Sequence, residues 1–356
     1  MPLIKLSYFL KEKAKKIIII LNLTALVIFL LLALPMQSHA QPSANTSHLK
    51  PLTDIPSTAQ VVETGFYPVN LYDLDIASNT YYVDTYIWFK WKGKIDPLAN
   101  LEFPNAVEEW GMSLEKAYEV PQLQSDESFY QVIRVEGRFF VPFTLAKYPL
   151  DEQRLEIVME NSIYADNELV YVADAMDSGS SETLALPGWK ITNWTLENFL
   201  HDYSSQFGEK FRATINFPYS SVRYQLLISR PINYFLWKLL LPLVIVVISS
   251  WGALLLHPSY VDARTSMSST ALLTTVFLQQ SYSDTLPEVG YLVLLDKLYA
   301  LSYLLIVSAI AETIITASWA KSGNEEDYQR VIRLDRPFLV AQFAVLLIGF
   351  FLLIYL

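Results

Sequence analysis

The chain has 356 residues, of which 52% are hydrophobic and 17% are charged, a more apolar composition than that of a typical soluble domain. It contains no cysteine, which excludes disulfide frameworks, thiolate zinc sites and cysteine nucleophiles. The formal net charge is −10. This acidity argues against nucleic acid as a partner, since phosphate binding needs basic patches, and it favours cations, protons or cationic ligands near the surface.

The N-terminal 40 residues are typical of a secretory signal peptide. Five lysines precede an apolar run from Ile17 to Leu34, and Ser38-His39-Ala40 is a small-x-small cleavage motif. Because the apolar run is long for a signal, an uncleaved anchor is the alternative. Either way, the chain from Gln41 onward is predicted to lie outside the cytoplasm, and residues 41–60, rich in Pro, Ser, Thr and Asn, are predicted to be a flexible leader.

Charge and hydropathy divide the rest of the chain into two parts. Residues 41–229 carry 26 acidic and 13 basic side chains, whereas residues 230–356 carry 9 acidic and 8 basic ones. Residues 61–229 consist of short β-branched and aromatic runs separated by Gly, Pro, Asn and Asp, which predicts an all-β, immunoglobulin-like sandwich of about ten strands. The runs span 65–75, 81–92, 130–141, 154–159, 169–172, 189–199 and 219–228, and 106–117 is a candidate short helix.

Residues 230–356 contain four hydrophobic segments, each long enough to cross a bilayer, and predict a transmembrane domain of four helices. With the sandwich outside, the basic residues between the third and fourth segments lie in the cytoplasm, in agreement with the positive-inside rule. The helices are expected at about 232–256, 264–286, 291–319 and 337–356.

The second segment is the least apolar, and its polar residues fall on one stripe at about 100° per residue. A helix that is polar along one line predicts a pore lined by several copies. Met267, Ala271, Thr274, Leu278 and Ser281, on the other side, are expected to pack on neighbouring helices. The stripe consists of Asp262, Ser266, Thr270, Leu273, Phe277, Gln280 and Asp284.

Rings of Asp262 and Asp284 at the two mouths of such a pore would concentrate inorganic cations and repel anions, and the hydroxyls between them offer oxygens to a partly hydrated ion. An apolar ring that excludes water when narrow can act as a gate, and Leu273 and Phe277 are the candidates. Two alternatives remain open: Asp262 caps the helix, or the two apolar residues only pack between helices. Arg264 is expected to face away from the axis, because facing the axis would favour anions.

The segment Tyr148-Pro149-Leu150-Asp151-Glu152-Gln153 is the most specific of several short motifs in the chain. Together with the exported sandwich and the four spans, these motifs resemble the prokaryotic branch of the pentameric ligand-gated ion channels, the Cys-loop receptor superfamily. Val141 and Leu155 stand about where animal members carry the loop cysteines. The resemblance implies a homopentamer, surrounded by lipid, in the bacterial inner membrane, with the N-terminal domain in the periplasm or extracellular space. The other matches are Trp91, Gly188-Trp189, Ser229-Arg230-Pro231, Leu286-Pro287, Glu312 and Asp335.

The resemblance also implies a coupling interface, formed by Asp75, Asp151, Arg230 and Pro287, between the sandwich and the membrane helices. A guanidinium at the membrane boundary requires carboxylate partners. The alternative is a static ion pair that only holds the joint together.

A ligand site between subunits is implied in the same way, beneath the 203–219 hairpin, with the sandwich core as the alternative location for each ring. Ser162 stands about where animal receptors carry a key tryptophan, so their amine-binding cage is not intact. A small molecule or protons are therefore both expected as agonists, and the acidic exterior favours inhibitory divalent cations; no cofactor or metal site is predicted. The candidate residues are Tyr86, Phe103, Asn105, Glu160, Tyr164, Phe211, Phe217 and Tyr219.

Other classes of function fit the sequence less well. The chain has no HExxH, GxSxG or phosphate-loop motif, which argues against an enzyme. A transporter would be expected to have more spans and inverted repeats. A non-conducting periplasmic sensor is the remaining alternative, but a sensor has no need of a polar stripe on a membrane helix.

Overall fold

The computed structural model describes residues 49–205, 208, 218–321 and 323–355. They form a β unit, which runs to Thr144 and again from Asp151 to Pro231, and a helical unit, which comprises Leu145–Leu150 and the chain from Ile232 onward. The predicted all-β sandwich followed by four helices is confirmed. The predicted signal peptide and residues 41–48 of the predicted leader lie outside the described residues.

The β unit contains twelve described strands, and all seven strand segments expected from the sequence are among them. The candidate helix at 106–117 is instead two short strands around a 3-10 turn, Glu109–Gly111. The strands are β1 (Leu49–Pro51), β2 (Gln60–Asp75), β3 (Thr80–Trp91), β4 (Leu101–Glu102), β5 (Ala106–Val107), β6 (Ser113–Lys116), β7 (Gln122–Leu123), β8 (Phe129–Phe140), β9 (Glu152–Asn161), β10 (Leu169–Ala173), β11 (Lys190–His201) and β12 (Tyr219–Ser229).

The strands form two sheets. One has the order β1-β11-β12-β9-β4, and the other has the order β10-β2-β3-β8-β5, with β6 and β7 also paired to β8. Strand β1, from the stretch predicted as a leader, pairs antiparallel with β11, and β10 runs parallel to β2. Strands β11 and β12 pair antiparallel from Lys190↔Ser229 to His201↔Tyr219, with a register shift between Ile191 and Asn193.

The core of the β unit lies between the two sheets, because alternate side chains of each strand point to the same face. On β8, the buried side chains of Ile133, Val135 and Phe139 are two and four residues apart, so they lie on one face of the strand. Phe66 of β2 and Tyr224 of β12 meet across the sandwich with ring centroids 5.7 Å apart. The aromatic and β-branched composition of these strands therefore supplies a single apolar layer.

The helical unit contains α1 (Ile232–Leu255), α2 (Val261–Ser283), α3 (Leu294–Ala320) and α4 (Glu325–Tyr355). Within the described residues, α1, α3 and α4 are long and apolar enough to cross a membrane. Helix α2 is as long as a membrane span, with 23 residues, but its polar stripe lowers its hydropathy.

Three helices differ from the predicted bounds by three residues or more, and of these α3 begins at Leu294 instead of 291. Helix α2 spans Val261–Ser283, so it begins and ends three residues before the predicted 264–286. Helix α4 begins at Glu325 and not at 337, because the acidic residues of its first turn suit the positive end of the helix dipole and Pro337 lies inside the helix. The prediction was based on the hydrophobic segment alone, which does not include the charged first turns of the helix. The predicted start at 337 was therefore wrong.

Helix α1 contains a π-helical segment, Phe235–Leu240, immediately before Pro242. The Leu241 N–H donates to the carbonyl of Leu236, five residues earlier. Proline has no N–H to continue the α-helical ladder, and a wider turn beside it accommodates the interruption.

Candidate functional site

Every residue of the predicted pore stripe on α2 is exposed in the single chain, and Leu273 and Phe277 are 55% and 65% exposed. The buried side of α2 is about half a turn away, at a rotation of 100° per residue. One line of α2 from Asp262 to Asp284 therefore remains uncovered by the chain's own helices. The buried residues are Arg264, Ser268, Ala271, Thr275 and Tyr282.

The face of α2 that packs on the other helices is rotated from the one expected from the sequence. Of the predicted packing face only Ala271 is buried, and Met267 is 38% exposed. The packed face lies roughly 70° further round the helix. The difference arises because small polar residues and Arg264, not the larger apolar ones, face the bundle.

The carboxylates at the two ends of the stripe sit at the helix termini. The N-cap of α2 is Tyr260, so the alternative that Asp262 caps the helix is wrong, although its charge still suits the first turn. At the other end, the backbone N–H of Asp284 donates to the Gln280 carbonyl (3.1 Å), and the Gln280 side chain donates to the Asp284 carboxylate (2.7 Å).

Arg264 points into the helical bundle and is 1% exposed. Its Nη2 lies 2.7 Å from Asp335 Oδ2 on α4 and 3.8 Å from Glu312 Oε2 on α3, and its Nε donates to the Ala253 carbonyl of α1 at 3.2 Å. One side chain of α2 thus contacts all three of the other helices. The arrangement in which Arg264 faces away from the stripe is the one observed.

A second polar contact within the bundle is centred on Gln342 of α4, which is fully buried. It accepts a hydrogen bond from Trp251 Nε1 of α1 (2.7 Å) and donates to Ser308 Oγ of α3 (2.6 Å). The sequence argument overlooked this residue. Its signal was a lone amide inside an otherwise apolar segment, where an unsatisfied amide would be costly.

The segment Leu145–Leu150, which connects β8 to β9, belongs by its contacts to the helical unit. Its carbonyls accept hydrogen bonds from the first residues of α3: Leu294 N–H donates to Ala146 (3.0 Å) and Leu295 N–H donates to Tyr148 (3.2 Å). The Tyr148 ring stacks on the Tyr282 ring of α2, with the ring centroids 6.5 Å apart. The Tyr148-Pro149 motif therefore contacts the end of the striped helix directly.

Two of the predicted coupling residues, Asp151 and Arg230, meet within the β unit. Arg230 Nε donates to Asp151 Oδ1 at 2.9 Å, and its guanidinium lies 4.1 Å from the ring centroid of Trp189. Asp151 is 2% exposed and also accepts a hydrogen bond from the side chain of Gln153 (2.6 Å). A buried, hydrogen-bonded pair of this kind fixes both side chains.

The other two predicted coupling residues lie elsewhere. Asp75 accepts hydrogen bonds from Ala77 N–H and Ser78 Oγ in its own turn. The Ser78 hydrogen bond is the main cause that lowers the pKa of Asp75. Pro287 is half-buried, just after α2.

Glu160, a predicted ligand residue, is buried where β11 ends and β12 begins, and it accepts three side-chain hydrogen bonds. The donors are His201 Nδ1 (3.0 Å), Ser221 Oγ (2.6 Å) and the hydroxyl of Tyr203. Burial alone would raise the pKa of Glu160, but the hydrogen bonds from these donors outweigh it and lower the pKa below its ordinary value. The sequence argument did not identify the three donors.

The remaining predicted ligand residues have different environments. Phe103 and Tyr219 are buried, and the Asn105 side chain donates to the Glu156 carbonyl (2.7 Å) and accepts from the Val158 N–H (3.0 Å), both on β9. Tyr164 is half-buried against the core, and Tyr86 is 39% exposed. The other two candidates, Phe211 and Phe217, lie outside the described residues.

An ion pair that the sequence argument missed lies beside Tyr86. The Arg134 guanidinium makes two hydrogen bonds to the buried Asp84 carboxylate, at 2.9 and 2.8 Å, and lies 5.9 Å from the Tyr86 ring centroid. The Arg134 hydrogen bond is the main cause that lowers the pKa of Asp84. Tyr86 of β3 lies directly opposite Arg134 of β8 in the antiparallel pair, which places the guanidinium beside the ring.

No protein-family model matches the chain. The chain is 28% identical over 194 residues to a glutamate-gated chloride channel of Drosophila melanogaster, which covers 54% of this chain and 40% of that protein. It is 23% identical over 280 residues to a proton-gated ion channel of Gloeobacter violaceus, covering 74% of each. It is 23% identical over 267 residues to human gamma-aminobutyric acid receptor subunit alpha-2, covering 74% of this chain and 54% of the receptor subunit.

The matched regions thus span about half or less of these animal relatives. Together with the sandwich and four helices, they show that the chain is a homologue of the pentameric ligand-gated ion channels, the Cys-loop superfamily, which are channels and not enzymes. Within that superfamily, it aligns with the Gloeobacter channel over 74% of both chains and has no cysteine. The family forms pentamers, and the chain is a multi-pass membrane protein with an extracellular N-terminal domain.

Proposed function

We propose that this chain forms a homopentameric, cation-conducting channel of the bacterial inner membrane, opened by a small ligand or by protons acting on the β unit. The observation that carries the proposal is the uncovered stripe on α2, which runs from Asp262 to Asp284 about half a turn from the packed face. Copies of this helix around an axis would place polar and apolar rings along an ion path.

Cation selectivity is favoured by the charges at the two ends of the stripe. Five Asp262 and five Asp284 carboxylates would form rings that attract cations. An anion-selective channel of the same family is the alternative, since the Drosophila relative is a chloride channel by name. The direction of Arg264, into the bundle and onto Asp335, argues against that alternative.

The gate of the proposed channel is the apolar part of the stripe. Leu273 and Phe277 lie one helical turn apart, and each is more than half exposed in the single chain. Rings of these side chains would exclude water when the pore is narrow, so that conduction stops without a physical plug. The Tyr148–Tyr282 contact provides a route by which the β8–β9 connection displaces α2.

Protons are a specific candidate agonist because of Asp166 in the β9–β10 connection. Asp166 is 9% exposed, and its Oδ1 has no hydrogen-bond partner among the described residues. Burial raises the pKa of Asp166, which moves its titration toward physiological pH. Its backbone N–H donates to the carbonyl of Pro218 (2.9 Å), the residue before β12. The Gloeobacter relative is proton-gated by name.

The proposal is tested by reconstituting the purified chain in liposomes and recording currents in a sodium chloride gradient while the pH is stepped and small amines are applied. We expect agonist-dependent currents whose reversal potential follows sodium. A reversal potential that follows chloride would establish the anion-selective alternative. Correctly assembled protein that gives no current under any of these conditions would favour the non-conducting sensor. Addition of calcium in the same recordings tests inhibition by divalent cations.

A further inference from the structure

At the start of α2, the helical unit contains one guanidinium between two carboxyl groups. Arg264, Glu312 and Asp335 come from α2, α3 and α4, and each is at most 3% exposed. Arg264 Nη2 is 2.7 Å from Asp335 and 3.8 Å from Glu312. The three side chains therefore form a closed ionic cluster inside a single subunit.

This cluster lies close to the predicted cytoplasmic mouth of the pore without lining it. Asp262 is exposed at the start of the stripe, and Arg264 follows two residues later on the buried side of the same helix. The two charged groups are thus separated by roughly the 10–12 Å diameter of a helix with its side chains. That separation is comparable to the Debye length of about 8 Å at physiological ionic strength, so screening between them is incomplete.

We propose that Asp335 and Glu312 determine ion selectivity by holding Arg264 inside the bundle, away from the ring of Asp262 carboxylates. The inference rests on the proposed cation channel. Neither acid touches the ion path; both are positioning residues that act through Arg264. Five subunits would keep five guanidinium groups out of the mouth in this way.

The physical reason is that a buried guanidinium requires its carboxylate partner. When one member of a buried ion pair is removed, the remaining charge is left without compensation in a medium of low polarity, which is strongly unfavourable. The long arginine side chain then moves its charged end toward water. Arg264 lies in the first turn of α2, so water at this end of the helix includes that of the proposed pore mouth, where five guanidinium groups would oppose five Asp262 carboxylates. Cation preference would fall.

Asp335→Asn is the first variant, because it removes the negative charge at 2.7 Å from Arg264 while keeping the shape of the side chain. Glu312→Gln removes the charge at 3.8 Å and is expected to act in the same direction with a smaller effect. Arg264→Gln/Asp335→Asn removes the guanidinium together with its nearer partner. The matched control is Asp327→Asn, which breaks an arginine pair of 2.8 Å with Arg330 near the start of the same helix, outside the cluster.

The measurement is the ratio of sodium to chloride permeability, taken from reversal potentials of the full-length channel in liposomes. We expect Asp335→Asn to lower the ratio about threefold or more, since each of five guanidinium groups keeps only the longer contact to Glu312 and acts at about one helix diameter from the mouth. The double variant should return the ratio to that of the wild type, and Asp327→Asn should leave it unchanged. A purely structural role would change expression or stability and leave the ratio unchanged.

A wild-type channel that conducts chloride would overturn the proposed cation channel itself. A cation-selective wild type together with an unchanged ratio in Asp335→Asn would overturn only the role of Asp335 and Glu312. If Asp335→Asn does not assemble, Glu312→Gln decides the question, and an unchanged ratio in that variant overturns the inference. Failure of the double variant to restore the ratio would show that the acids do not act through Arg264.

Discussion

Replacement of Glu160 by glutamine tests whether the carboxylate beside the end of β11 and the start of β12 holds three strands together. The wild-type carboxylate accepts hydrogen bonds from His201, Tyr203 and Ser221, which lie on or beside β11 and β12, while Glu160 itself belongs to β9. Glutamine has nearly the same shape, but one of its two acceptor oxygens is replaced by a donor NH₂ group. At least one donor must lose its partner.

The size of the effect follows from the burial of Glu160, which is 2% exposed and therefore little screened by water. A hydrogen bond to a charged group contributes about 1.5–3 kcal/mol, so we expect Glu160→Gln to lower the free energy of unfolding by about 2–3 kcal/mol. For a unit of this size, such a loss lowers the melting temperature by roughly 4–12 °C. Glu197→Gln is the control, because Glu197 is exposed on β11.

The pH dependence distinguishes this account from a simple loss of packing. Because the folded-state pKa of Glu160 is lowered from its ordinary value of 4.5, the carboxylate stabilises the fold fully above about pH 4.5 and loses that effect as pH falls through the depressed pKa. Thermal unfolding of the wild type and of Glu160→Gln is measured in detergent from pH 7 to pH 3. The difference between their melting temperatures should shrink at low pH. Equal melting temperatures at pH 7 would refute the reasoning.

Three further predictions concern the gate, the coupling pair and the bundle. Leu273→Ala or Phe277→Ala should raise leak current or agonist sensitivity, because a smaller ring admits water; unchanged gating in both variants would remove these residues from the gate. Asp151→Arg should abolish the agonist response and Arg230→Asp, added to it, should restore part of it; no rescue would count against a functional pair. Gln342→Leu should cost about 1–3 kcal/mol in thermal unfolding, since Trp251, Leu305 and Ser308 each lose a hydrogen bond to this buried amide, and an unaltered melting temperature would contradict this.

The stripe on α2 was predictable because it depends only on the helical period and on residues that are close in sequence. The rotation of the helix was not predictable in the same way. It is fixed by Arg264, whose partner Asp335 is 71 residues away in the chain. A local pattern contains no information about such a partner, and the predicted packing face was accordingly displaced.

The same limit applies to the β unit. The strands were predicted from their β-branched and aromatic runs, and β11 and β12 are close to the expected bounds. The donors to Glu160, by contrast, come from 41, 43 and 61 residues further along the chain. The sequence marked Glu160 as a ligand residue, whereas the structure shows a buried carboxylate already supplied with donors. Its role in ligand binding stays a prediction.

Cysteine accessibility tests the central claim, that the stripe on α2 lines the ion path, most directly. The chain has no cysteine, so each substitution introduces a single thiol per subunit. Thr270 is exposed on the stripe, and Thr275 is fully buried on the opposite face. A thiol-reactive quaternary ammonium reagent should block the agonist-evoked current of Thr270→Cys and leave that of Thr275→Cys unchanged. Block of Thr275→Cys with no effect on Thr270→Cys would contradict the claim.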